Sequence, residues 1–69
     1  MRNYISIAQV GDKSDRTHRI GAQSKETQNT RVFTVKGVDD SFVIFEGTQQ
    51  MIAFKTLTQC KIYISELSI

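Results

Sequence analysis

Apolar and polar side chains alternate with a period of two along most of this chain, the spacing of strands with one buried face. Over Asn3–Val10, Ile5 and Ile7 share one side while Ser6 and Ala8 take the other, and Gly11 ends the run. Residues 30–36 alternate again, with Phe33 and Val35 opposite Thr34 and Lys36. The turn formers Gly37, Asp39, Asp40 and Ser41 lead into 42–45, which is apolar on both sides and predicts a strand covered twice. The two segments together predict a hairpin. Gly47 closes it, and residues 51–55 predict a fourth strand with Ile52 and Phe54 inward. A fifth strand is expected over 60–67, with Cys60, Ile62 and Ile64 in phase, joined to the fourth by residues 56–59 as a tight turn or one 3₁₀ turn.

Five short strands in a single small domain over residues 1–69 predict an all-β fold. Their order, with a long connection after the first strand and short ones thereafter, resembles that of small SH3-like barrels. The resemblance implies a five-stranded SH3-like barrel. The polyproline groove of peptide-binding SH3 domains is not expected, because the chain has no Trp and no aromatic residue between Tyr4 and Phe33. An OB-fold places a helix between its third and fourth strands, for which residues 47–50 leave no room. The alternative is an α+β fold, since Met51, Ile52, Phe54 and Leu57 also fit one face of a short helix near residues 48–58, capped by Thr48.

Residues 11–29 read as a long polar loop in which Ile20 and Ala22 alone could join a core. Loops beyond about 12 to 15 residues usually carry function or are disordered. This segment is therefore the expected working surface, lying outside in water, and excising residues 12–28 should leave a folded domain.

A chain of 7.8 kDa buries only about 60% of the surface its unfolded form exposes, so stability is hard to secure. One cysteine, Cys60, closes no internal bridge, and with His18 as the one histidine there is no zinc cluster. No metal or cofactor is expected. Oligomerisation is the remaining staple, and a homodimer through the first or last strand follows from the readiness of open edges to pair. No signal sequence or membrane span is recognisable, so the expected location is cytoplasmic, with Cys60 a reduced, packed thiol.

Chemistry is sparse. Asp15 and His18 lie close in sequence, but a useful base must be held by supporting groups. No phosphate loop, nucleophile elbow or metalloprotease motif is present. Asp12 and Asp15 resemble half of a calcium loop whose later ligands are missing. An enzyme, such as a small hydrolase or nuclease, is the least favoured reading.

The formal charge of +2 is uneven, with an excess of basic groups before residue 37 and of acidic groups after it. Arg16, Arg19, Lys25 and Arg31, together with Lys13, could neutralise phosphates while Tyr4 and Tyr63 stack bases, which makes nucleic-acid binding the second reading. Acidic residues are interleaved with these cations, however. Val32, Val43, Phe45, Met51, Tyr63, Leu67 and Ile69 fall outside the main apolar phase, and an exposed apolar patch marks a protein interface. The favoured reading is a non-enzymatic protein-binding module, a regulator, adaptor or inhibitor. Its expected contact residues are Tyr4, Arg16, His18, Arg19, Lys25, Arg31, Phe45 and Tyr63.

Overall fold

The computed structural model describes residues 1–69, apart from the side chain of Lys13. Five strands, β1 (Asn3–Val10), β2 (Thr17–Ser24), β3 (Thr30–Val38), β4 (Ser41–Glu46) and β5 (Gln49–Phe54), are followed by one helix, α1 (Leu57–Ser65). The strands pair antiparallel in chain order, which makes the sheet a meander with β1 and β5 at its edges. The mostly-β architecture agrees with the patterning, but the sheet is not closed into a barrel. The α1 helix lies against one face of the sheet and leaves the other uncovered.

The segment 11–29 is not a long loop. It contains β2, paired residue for residue with β1 from Val10↔Thr17 to Asn3↔Ser24 and with β3 on its other side. A strand flanked on both sides has its backbone groups satisfied by its neighbours, so it needs few large side chains to be held. Ile20, Ala22 and Ser24 point to the helix side and are buried there, while Arg19 and Gln23 take the opposite face. What remains of the loop is a pair of turns. The first holds a 3₁₀ turn over Lys13–Asp15, where the Asp15 carboxylate accepts from the Asp12 amide at 3.1 Å. In the second, Ser24 Oγ accepts from the amides of Glu26 and Thr27 at 3.2 and 3.1 Å.

Residues 60–67, expected as a fifth strand, fall largely within α1. Thr56 caps the helix: its hydroxyl accepts from the Gln59 amide at 3.1 Å, and the Gln59 side chain accepts from the Thr56 amide at 3.2 Å. That reciprocal pair satisfies two amides which otherwise have no helical partner. Cys60 and Ile64, four apart, face the sheet and are fully buried, whereas Ile62 is 55% exposed. Nine residues are too few for a helix to persist alone in water. Buried Asn3 on β1 fastens its far end, donating from Nδ2 to the carbonyls of Ile64 at 2.9 Å and Leu67 at 2.8 Å.

The helix considered near residues 48–58 does not form, because that stretch holds β5 and Thr48 lies in the turn between Glu46↔Gln49. The β4–β5 register shifts between Val43 and Phe45. An extra residue in one strand resets its alternation. Met51 and Phe54 consequently pack on the core while Ile52 is 40% exposed, reversing the inward placement that strict alternation predicts for Ile52. The expected hairpin over residues 30–45 is present, its turn made by Asp39, with φ of 53°, and Asp40. The core is Ile20, Ala22, Phe33, Val35, Ile44, Cys60 and Ile64.

Candidate functional site

The uncovered face of the sheet gathers the outward residues of all five strands in rows set by the register. One row runs Tyr4, Gln23, Thr30; the next Ser6, Gly21, Val32; the next Ala8, Arg19, Thr34, Phe45, Gln50; the last Val10, Thr17, Lys36, Val43, Ala53. Tyr4 is 60% and Val32 55% exposed. Between them lies a shallow apolar depression lined by Tyr4, Ser6, Gly21, Gln23, Thr30 and Val32. Gly21 floors it, and a Cβ built there would meet nothing within 4 Å. The depression exists because a side chain is missing from the middle of a sheet face.

Charge on this face has one sign. Glu46 is the single acidic residue in any strand, and it shares the helix side with Ile44. Arg19 and Lys36 stand on the open face, and Lys25 reaches it from the β2–β3 turn, its ammonium 4.9 Å from the Tyr4 ring centre. Lys36 lies over the Phe45 ring at 5.3 Å. Cations over aromatic faces are attracted by the ring quadrupole. Among the described residues none of the three has a carboxylate partner.

Of the expected contact residues, Tyr4, Arg19, Lys25 and Phe45 are brought together here. Arg16, His18 and Tyr63 are not, and Arg31 lines the depression but commits its guanidinium to Glu46. Arg16 caps the 3₁₀ turn in the left-handed region and donates to the Asp39 carbonyl at 2.8 Å, with its guanidinium 4.9 Å from the Phe42 ring. It lies so close over Gly37 that a Cβ there would stand 2.7 Å from its Nε. His18 is half-buried beside Val35, and its Nδ1 has no partner among the described residues. Arg31 donates from Nε to Glu46 at 2.8 Å and makes a second bond from its terminal nitrogen to the same carboxylate. That pairing holds the Glu46 carboxyl below its ordinary range and raises the guanidinium above its own. Tyr63 stacks against Phe54, ring centres 5.5 Å apart, on the helix side. The side chain of Lys13, also counted among the basic groups, lies outside the described residues.

Gly21 is the member that the reading of residues 11–29 as a loop concealed, whereas Val32 and Lys36 fall on the outward side already expected of the 30–36 strand. Its signal was present in Thr17-His18-Arg19-Ile20-Gly21-Ala22, where polar and apolar residues alternate once Gly21 is placed outward. Burial pushes the Cys60 thiol upward, and it stays within 3.8 Å of the Phe42 carbonyl. No cluster of three or more His, Cys, Asp or Glu that could hold a metal ion occurs among the described residues. Among the described residues no helix is long and apolar enough to cross a membrane. No protein-family model, curated protein or solved structure matches this chain.

Proposed function

We propose that this protein is a non-enzymatic binding module that docks a protein partner, acidic where it makes contact, on the uncovered face of its sheet. The observation that supports the reading is the composition of that face: exposed Tyr4, Val32 and half-buried Phe45, interspersed with unpaired Arg19, Lys25 and Lys36, while the one strand carboxylate, Glu46, lies on the helix side and is held by Arg31. Apolar surface supplies association energy, while like-signed charges around it select a partner of opposite sign. The Gly21 depression offers a seat for one projecting apolar side chain. A small SH3-like barrel is not required for this role, since the open sheet already presents the surface.

Single-stranded nucleic acid is the second reading, favoured by the same cations. Its weakness is spacing. Tyr4 and Phe45 are four residues apart along the strands and three strands apart across them, roughly 20 Å on the diagonal at about 3.4 Å per residue and 4.8 Å per strand. Neighbouring bases stacked on a platform need aromatics much closer than that.

The test uses three immobilised forms of the full chain: wild type, Gly21→Val and Lys36→Glu. Proteins held by the wild type at low salt, released as salt rises, and lost from both variants are the expected result. Retention that survives Gly21→Val would overturn the assignment of the site. Salt-sensitive binding of a fluorescent oligothymidylate by the wild type would transfer the face to nucleic acid.

A further inference from the structure

The two edges of the sheet are not alike. The β5 edge is six residues long and disturbed by the register shift at Val43 and Phe45, a feature that discourages pairing with another chain. The β1 edge is eight residues, Asn-Tyr-Ile-Ser-Ile-Ala-Gln-Val, paired with β2 without a shift and free of charge, proline and glycine. None of the usual devices that blunt an edge is present in it. Its outward backbone groups meet no backbone partner from elsewhere in the chain among the described residues. Beside it, on the helix side, an apolar cleft between β1 and α1 is lined by Met1, Ile5, Thr58, Lys61, Ile62 and Ser65. Ile7, at the middle of the strand, is 37% exposed although it belongs to the core-facing row.

The flanks of this strand say what fits it. Arg2 stands just before β1 and Asp12 just beyond it. Two copies laid antiparallel about Ile7 place Tyr4 opposite Val10, Ser6 opposite Ala8 and Ile5 opposite Gln9, and bring Arg2, whose guanidinium donates to Ser68 Oγ at 3.0 Å, towards Asp12, which follows Gly11 beyond the strand, at both ends. This register keeps every helix-side residue facing a helix-side residue, as a one-residue slip would not. It also sets the flanking charges in opposite-sign pairs, which stabilise a cross-strand contact where like charges would oppose it. A parallel arrangement would set Arg2 beside Arg2.

We infer that β1 pairs antiparallel with β1 of a second copy about Ile7, joining two five-stranded sheets into one of ten strands. The two Ile7 side chains meet on the helix side between the two α1 helices, next to the exposed Ile62 of each. The cleft beside β1 is thereby covered. The uncovered faces become continuous across the two-fold axis.

Sedimentation equilibrium of the full chain tests this, with a mass of twice 7.8 kDa expected at high micromolar concentration. Ile7→Lys, which sets two ammonium groups against each other at the axis, should return it to the monomer mass. Arg2→Glu and Asp12→Arg should each raise the dimer dissociation constant, by roughly tenfold given two cross-strand pairs per dimer. The two combined should restore it, an effect that general loss of structure cannot mimic. Under mild oxidation Ile7→Cys should form a disulfide-linked dimer, whereas Ile52→Cys on the other edge should not. A monomer at millimolar concentration would overturn the inference. So would a dimer in which Ile52→Cys cross-links instead, or one indifferent to the charge swap.

Discussion

The two faces of the sheet are drawn from the same five strands, yet they are built on opposite principles. On the helix side Ile20, Phe33, Val35 and Ile44 are fully buried and meet Cys60 and Ile64. Two polar side chains there are fastened, Asn3 to two helix carbonyls and Arg31 to Glu46. On the open side Tyr4 and Val32 are exposed, the cations have no carboxylate partners among the described residues, and the one glycine leaves a depression. Stability is concentrated on one face, and the other is the proposed binding surface. Substitutions should therefore separate cleanly into those that unfold the protein and those that change only what it holds.

The largest effect is expected from excising residues 12–28. This cut removes β2 and leaves β1 without its sheet partner, so the cooperative unfolding transition seen by circular dichroism should vanish. Asn3→Asp comes next. It replaces two donated hydrogen bonds with a carboxylate facing the carbonyls of Ile64 and Leu67, and it should cost about 3 kcal/mol or more, beyond the 1–3 kcal/mol expected of Asn3→Ala. Urea denaturation of both variants checks the order, and equal losses would mean that the side chain matters only for its volume.

A smaller effect attaches to the Arg31–Glu46 pair. The folded-state carboxyl lies below its unfolded value, about 4.3 for a free glutamate. Its contribution is thus complete above that value and is lost as pH falls through the folded one. Because both side chains are about a third exposed, the contribution should be no more than about 1 kcal/mol. Comparing wild type with Glu46→Gln between neutral and acid pH should show the wild type losing its advantage in acid. The smallest change in stability belongs to Gly21→Val, which has open space and a strand conformation to occupy. It should unfold at the wild-type urea concentration or slightly above, while the depression between Tyr4 and Val32 is filled. A marked loss of stability there would erase the distinction between the faces.

Much of this arrangement could be read from residue order alone. The period-two runs that became β1, β3 and β4, the Asp39-Asp40 turn and the stop at Gly47 are local features, each decided by side chains a few positions apart. Half of the expected contact residues reached the open face because strand alternation places Tyr4, Arg19 and Phe45 by the same rule. Residues 11–29 resisted the rule because Ala22 and Ser24 are small and Gly21 carries no side chain, which leaves the local alternation around Ile20 faint. Ala22 and Ser24 are buried because β1 and β3 close on either side and α1 lies above. The spacing of Cys60, Ile62 and Ile64 fitted a strand as well as a helix. The Thr56–Gln59 capping pair was the local sign that distinguished them, and its reciprocal hydrogen bonds are made in the folded protein.

Residue order by itself determined that this protein is rich in strands, has a limited core and carries its cations mainly in its first half. Tertiary structure alone decided which face is covered, because burial of β2 and the hold of Asn3 on α1 depend on groups more than sixty positions apart in the second case. Such contacts form only when the whole chain has closed, and no window of neighbouring residues contains them.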